Sequence, residues 1–152
     1  MIHTEAVRDR IEAKIPDLAG RIKFAAEWAK VIETGQMPQS DFAGFVLPGL
    51  LSAGNANASA GAFTQALQET VLVVLCRRVT DDPTGGKAID AIRPFAAAAI
   101  RAIAGWEPPV AEGESSPVGV FEFAQGELVG AVDGTLVLEL HFRLNDQLRI
   151  FE

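Results

Sequence analysis

Cysteine is almost absent from this sequence: Cys76 stands alone among 152 residues. An internal disulfide is therefore excluded, and a reducing compartment is the natural setting. There are only two histidines, His3 and His141, and no Cys/His cluster of the kind that binds zinc. Basic residues are in the minority as well. Lys and Arg number 13 against 20 Asp and Glu, a formal net charge of -7. That balance argues against a general nucleic-acid binder, which needs a basic face for phosphates. It argues equally against electrostatic docking on anionic membranes. No apolar run is long enough to span a bilayer. The start, "MIHTEAVRDRIEAK", is charged from the fifth residue onward, unlike a signal peptide. The expectation is a soluble, acidic, cytoplasmic protein forming one domain over residues 1–152.

Hydrophobic residues make up 49% of the chain, enough for a real core. "TEAVRDRIEAKI" reads as a helix capped by Thr4, with Val7, Ile11 and Ile15 on one face, and Pro16 ends it. "RIKFAAEWAKVIETG" has Phe24, Trp28 and Val31 at helical spacing, with Gly35 as the stop of a short helix. "FAGFVLPG" has strand composition and ends in a Pro-Gly turn. The segment after it, Gly49 to Ala62, is small, polar and glycine-rich, which predicts a flexible loop that orders on assembly. "FTQALQETVLVVLCRRV" reads as a long central strand.

"GKAIDAIRPFAAAAIRAIAG" reads as a helix with Ile89, Ile92, Ala96, Ile100 and Ile103 along one face. Pro94 sits inside it, and Gly105 stops it. Trp106 is expected to fold back over the helix end. Three strands are predicted to follow: "VGVFEFA", "GELVGAV" and "TLVLELHFRL", joined by turns at Gln125-Gly126 and Asp133-Gly134. In the last, Leu136, Leu138, Leu140, Phe142 and Leu144 form a dry face, and Thr135, Val137, Glu139, His141 and Arg143 a mostly wet one. The predicted fold class is α+β, an antiparallel or mixed sheet with helices packed on one face.

One stretch looks like chemistry: "CRRVTDDPTGGKAIDAIRPF", Cys76 to Phe95. A phosphate loop needs G-x-x-x-x-G-K-[ST] between a strand and a helix. Here Ala88 follows Lys87, and the first glycine of the motif is replaced by Asp81, whose charge would repel phosphate. Asp81, Asp82, Pro83, Gly85 and Gly86 read instead as turn residues, with Asp82 or Thr84 capping the helix that follows. Asp81 and Asp82 lack the third ligand a metal would require. Cys76 follows an apolar run and reads as a small core residue; a catalytic cysteine would need a histidine beside it. Arg77 and Arg78 read as a solvated strand end, and His141 as a surface histidine. Ser115 and Ser116 have no G-x-S-x-G context. Trp28 and Trp106 read as packing anchors. No residue is assigned a catalytic, cofactor-binding or metal role.

The second half carries a more informative order of motifs. A strand "QETVLVVLCRRV" leads to the helix with its internal "RP", then "GW-x-P" at Gly105 to Pro108, then "GELV…DGTLVLELHF". Together with "KIPDLAGRI" and "FAGFVLPG" in the first half, this resembles the tail terminator (tail completion) proteins of long-tailed phages and gene transfer agents. The segment "LPGLLSAGNANASAGAF" departs from the pattern by its length. The resemblance implies a structural, non-enzymatic virion protein that forms a hexameric ring. The ring would cap the tail tube, stop its polymerisation and present a head-joining surface. Its implied partners are further copies of itself, the tail tube protein and the head–tail connector. DNA would pass through the lumen without specific binding, helped by an acidic lining. The implied location is the virion tail, assembled in the host cytoplasm. The alternatives are a neck, connector or tube subunit, or a small enzyme with an unrecognised pocket; a deep pocket lined by converging polar groups would favour the last.

Overall fold

The computed structural model describes residues 2–36, 41–80, 82, 84, 86–110, 112–113, 117–132 and 134–151. Helix α1 (Thr4–Lys14) is followed by a short 3-10 turn (Pro16–Leu18), strand β1 (Ile22–Lys23) and helix α2 (Ala25–Thr34). Then come β2 (Phe42–Ser59), β3 (Ala62–Arg78), helix α3 (Gly86–Ile103), β4 (Glu122–Val132) and β5 (Thr135–Phe151). The strands form one mixed sheet in the order β1-β2-β3-β5-β4. Only β1 and β2 run parallel; the other neighbours are antiparallel. This is the expected α+β class.

The main core lies between α1 and α3 and one face of the sheet. Val7, Ile11, Ile92, Ala99 and Ile103 meet Val46, Val73, Leu75, Leu136, Leu140, Phe142 and Leu144 there. The leucine face of β5 packs as its period-2 pattern predicts, with Leu138 only partly buried. On α3 the expected stripe needs one correction: Ile89 is exposed, and the small Ala88, Ala99 and Ala102 are buried in the core face instead. Small side chains let a helix approach a sheet closely, so a stripe traced mainly through the isoleucines misses them; Ala96 and Ile100 are partly buried. Pro94 lies on the exposed side of α3. The short α2 adds cover on the opposite face. Trp28 and Val31 pack there against Phe45, Val74, Cys76 and Val137, with the Trp28 and Phe45 rings 4.9 Å apart. Thr135 and Val137, assigned from the sequence to a wet face, are therefore buried.

Three further expectations are corrected. Thr4 does not cap α1. The N-cap is His3, whose side chain makes no capping bond, and the carboxylate that meets this helix start comes from β3. Secondly, Gly49–Ala62 is not a loop. β2 runs on to Ser59 and pairs with β3 through Ser59↔Ala62, leaving a turn at Ala60 and Gly61. Its small residues bury little, so the sequence shows no strand periodicity, and two register shifts break what alternation exists. Pairing to β3 fixes the conformation instead. Thirdly, the C-terminal part has two strands, not three. Gln125-Gly126 lies inside β4, where the register shifts between Phe123 and Gln125. One inserted residue flips the side-chain phase, and from sequence that flip reads as a turn. The second expected turn is consistent with Val132↔Thr135 pairing and with Gly134 at φ +75, although Asp133 itself lies outside the described residues.

Candidate functional site

The stretch from Cys76 to Phe95 is the strand end, turn and helix start that its turn residues predict. Asp82 accepts the backbone N–H of Lys87 (3.3 Å) and of Ala88 (2.9 Å), so its two carboxylate oxygens cap α3. Asp81, Pro83 and Gly85 lie outside the described residues, as do Ser115 and Ser116. Cys76 is buried, and loss of hydration pushes its thiol up to about 12, far from a reactive thiolate. The Arg77 guanidinium lies 5.8 Å from the centre of the Phe42 ring. His141 sits 2.7 Å from Glu139 two residues away on the same strand face. Trp106 folds over the end of α3 as expected, stacking on Phe121 at 6.0 Å. The Arg10 guanidinium lies over the Trp106 ring at 5.2 Å and donates to the Ala102 carbonyl at 3.0 Å, satisfying a helix-end acceptor. The glycine stop is Gly105, at φ +79.

Sequence reasoning missed the contact between His3 and Glu69. The Glu69 carboxylate, only 5% exposed, accepts the His3 backbone N–H and the ring Nδ1–H, both at 2.6 Å. Burial would push this carboxyl up, but the hydrogen bonds from the His3 side chain and backbone hold it below its ordinary value. The pair ties the start of α1 to the middle of β3. No local motif signals it, because the two residues are 66 positions apart.

A cleft of about 460 Å³ is lined by Asp17, Arg21, Phe42, Arg77 and Phe95 among others. Another, of about 340 Å³, lies at the β2–β3 turn against Phe63 and Ile150. Neither brings together a nucleophile and a base. Among the described residues, no three His, Cys, Asp or Glu side chains gather as metal ligands, and no helix is long and apolar enough to cross a membrane.

The surface is more distinctive than the clefts. β2 has 18 residues, about 60 Å at ~3.3 Å per residue, whereas the 18 residues of α3 cover about 27 Å at ~1.5 Å per residue. The sheet therefore outruns its helix layer. The far ends of β2, β3 and β5 form an arm, residues 50–68 and 145–151, in which almost every residue is at least partly exposed. Among the described residues β1 pairs only with Gly44 and Phe45, so the outer edge of β2 along the arm has no strand partner. The opposite edge is β4, which exposes Phe123, Leu128 and Val129.

Residues 1–150 match the family model described as phage tail terminator protein. The chain belongs to the phage tail terminator family. No curated protein is significantly similar in sequence. Among solved structures, a chain described as part of the virion of a native gene transfer agent particle is 16% identical, with a TM-score of 0.62 over 95% of this chain and 94% of that one. This shows a shared fold. A further solved chain, at 10% identity, gives a TM-score of 0.40 over 97% of each. Tail terminator membership makes this protein a structural component of a phage-type tail. The second-half motifs that resembled the family in sequence lie on β3, on α3 and directly after it, and on β4 and β5.

Proposed function

We propose that the protein assembles as a hexameric ring on the end of the tail tube, stops tube polymerisation and offers the surface to which the head connector joins. The observation that carries this reading is the family match over residues 1–150. The long unpaired sheet edges and uncovered arm support it, since a subunit that lives in an assembly needs such surfaces. We read the whole chain as one unit with a mechanical role and assign no residue to catalysis, a cofactor or a metal. The net charge of -7 fits a ring through which DNA slides without specific binding, because like charge keeps phosphate off the wall. Assembly would take place in the host cytoplasm.

The test is electron microscopy of the protein mixed with its own tail tubes. A terminator gives one ring at one tube end, and tubes that no longer lengthen when more tube protein is added. Filaments of the protein alone would instead indicate a tube subunit. Binding to isolated connectors but not to tubes would indicate a neck component.

A further inference from the structure

From Phe42 to Gln68 the chain has no ionisable side chain, although charged residues make up 22% of the whole. This segment is β2 and the distal half of β3, and it ends at Glu69, the residue that anchors the start of α1. Directly paired residues share a sheet face, so the register sorts the arm into two faces. One carries Leu51, Phe63, Leu67, Leu148 and Ile150 together with Gln65 and Asp146, through the pairs Leu51↔Glu69, Phe63↔Ile150, Gln65↔Leu148 and Leu67↔Asp146. It continues the face that α1 and α3 cover nearer the core, but here Ile150 is 50% exposed and the 340 Å³ cleft opens beside it. The other face is mostly polar apart from Phe151 at the strand end, with Gln68 donating to Asn145 and Arg149 to Gln147. A long, uncharged strand edge beside an uncovered apolar face invites pairing, and soluble proteins normally guard such edges with charges.

We propose that the apolar face of this arm docks on β4 of a second copy of the same chain. Two observations select that occupant. Each copy carries a charge of -7, so two copies approach most easily where the facing surfaces carry least charge, and along this face of the arm Asp146 is the one ionisable side chain among the described residues. The same sheet face also holds a second uncovered apolar patch, Phe123 and Leu128 on β4, with Leu128 51% exposed. Leu128 pairs with Leu138 near the start of β5, whereas the arm lies at the end of β5. Leu128 and Ile150 therefore sit at opposite corners of one sheet and cannot meet within a copy, while Phe123, paired with Phe142, lies between them. Arm to β4 is a head-to-tail contact, which leaves one arm and one β4 free after each addition and closes into a ring when the rotation allows. The cleft at the arm tip, beside Phe63 and Ile150, would receive a β4 side chain. This deepens the ring reading above and rests on it.

The test uses two full-length variants, Ile150→Lys and Leu128→Lys. Both positions are half exposed, so each variant should melt within a few degrees of the wild type; Ile150→Ser and Leu128→Ser replace any that do not. Each variant alone should stay monomeric by sedimentation at concentrations where the wild type associates, and should form no rings on tail tubes. An equimolar mixture should give a one-to-one pair and nothing larger, because only one intact arm and one intact β4 remain between them. Wild-type rings on tubes that both variants also form would overturn the contact and leave the ring reading standing. A wild type that stops at a dimer would overturn the head-to-tail geometry, as would variants that remain monomeric when mixed. Filaments or an absence of rings from the wild type would count against the ring reading itself, while the mixing result still decides the contact.

Discussion

Glu69 carries a structural load that its neighbours in sequence do not announce. It is the first ionisable residue after the uncharged stretch, and its carboxylate is held by two hydrogen bonds from His3. Its folded-state carboxyl titrates below the ordinary value of 4.5. The stability it contributes is thus present in full above about pH 4.5 and is lost as the pH falls through the lower folded value. Glu69→Gln should lower stability at neutral pH by about 1.5–3 kcal/mol, the range for hydrogen bonds to a charged group. It should also flatten the acid limb of the Tm–pH curve. If the variant keeps the wild-type steepness on that limb, other carboxylates set the acid sensitivity. Leu140, 2% exposed beneath the helix layer, tests packing alone. Leu140→Ala should cost about 2–5 kcal/mol in denaturant titrations, and Leu140→Asp should leave the protein unfolded or aggregated. A Leu140→Asp protein that melts like the wild type would mean that this face is not the core.

At the scale of elements, legibility follows what holds each one in place. α3, β3 and β5 are fixed by apolar burial, and burial writes its period into the sequence, so these elements were readable. The distal part of β2 is fixed by backbone pairing to β3, and pairing leaves no side-chain signature. Alanine, serine, asparagine and glycine therefore read as a loop where an arm exists. The bulge in β4 deceived in another way, by reversing the alternation so that one strand looked like two. Gly49 tests whether pairing holds the arm. It lies at the register shift between Pro48 and Leu51, where a Cβ would come 2.8 Å from the Thr70 carbonyl oxygen and touch the Thr70 side chain. Backbone cannot yield as a flexible side chain does, so Gly49→Ala should push β2 away from β3 where the arm leaves the core. The expected cost is about 1–3 kcal/mol. Amide exchange should quicken through residues 50–68 and stay slow in Val73, Leu75 and Leu140. Unchanged exchange in the arm would show that the strand pair absorbs the methyl group.

For the molecule as a whole, the charge that says little about the fold makes a claim about assembly. Of the candidate surfaces the sequence marks only the uncharged run from Phe42 to Gln68; the pairing that makes an arm of it and the exposure of Phe123 and Leu128 on β4 follow from the strand register, which no local pattern encodes. Copies at -7 each repel, and that repulsion reaches about 30 Å at 0.01 M salt but only about 3 Å at 1 M. A contact between Ile150 on the arm and Leu128 on β4 puts no ion pair between the copies for salt to weaken. Raising the salt should then remove the repulsion and leave the attraction, so self-association should tighten from about 0.02 M to about 0.5 M NaCl. Sulfate, which strengthens apolar burial, should act at lower concentration than chloride. Sedimentation at a fixed protein concentration across this range reads the effect directly. Association that weakens with salt would point to an ionic contact. The cleft holding Arg21 and Arg77 beside Asp17 would then be the surface to mutate, because its two guanidinium groups outnumber its one carboxylate and another copy's carboxylates could settle against them.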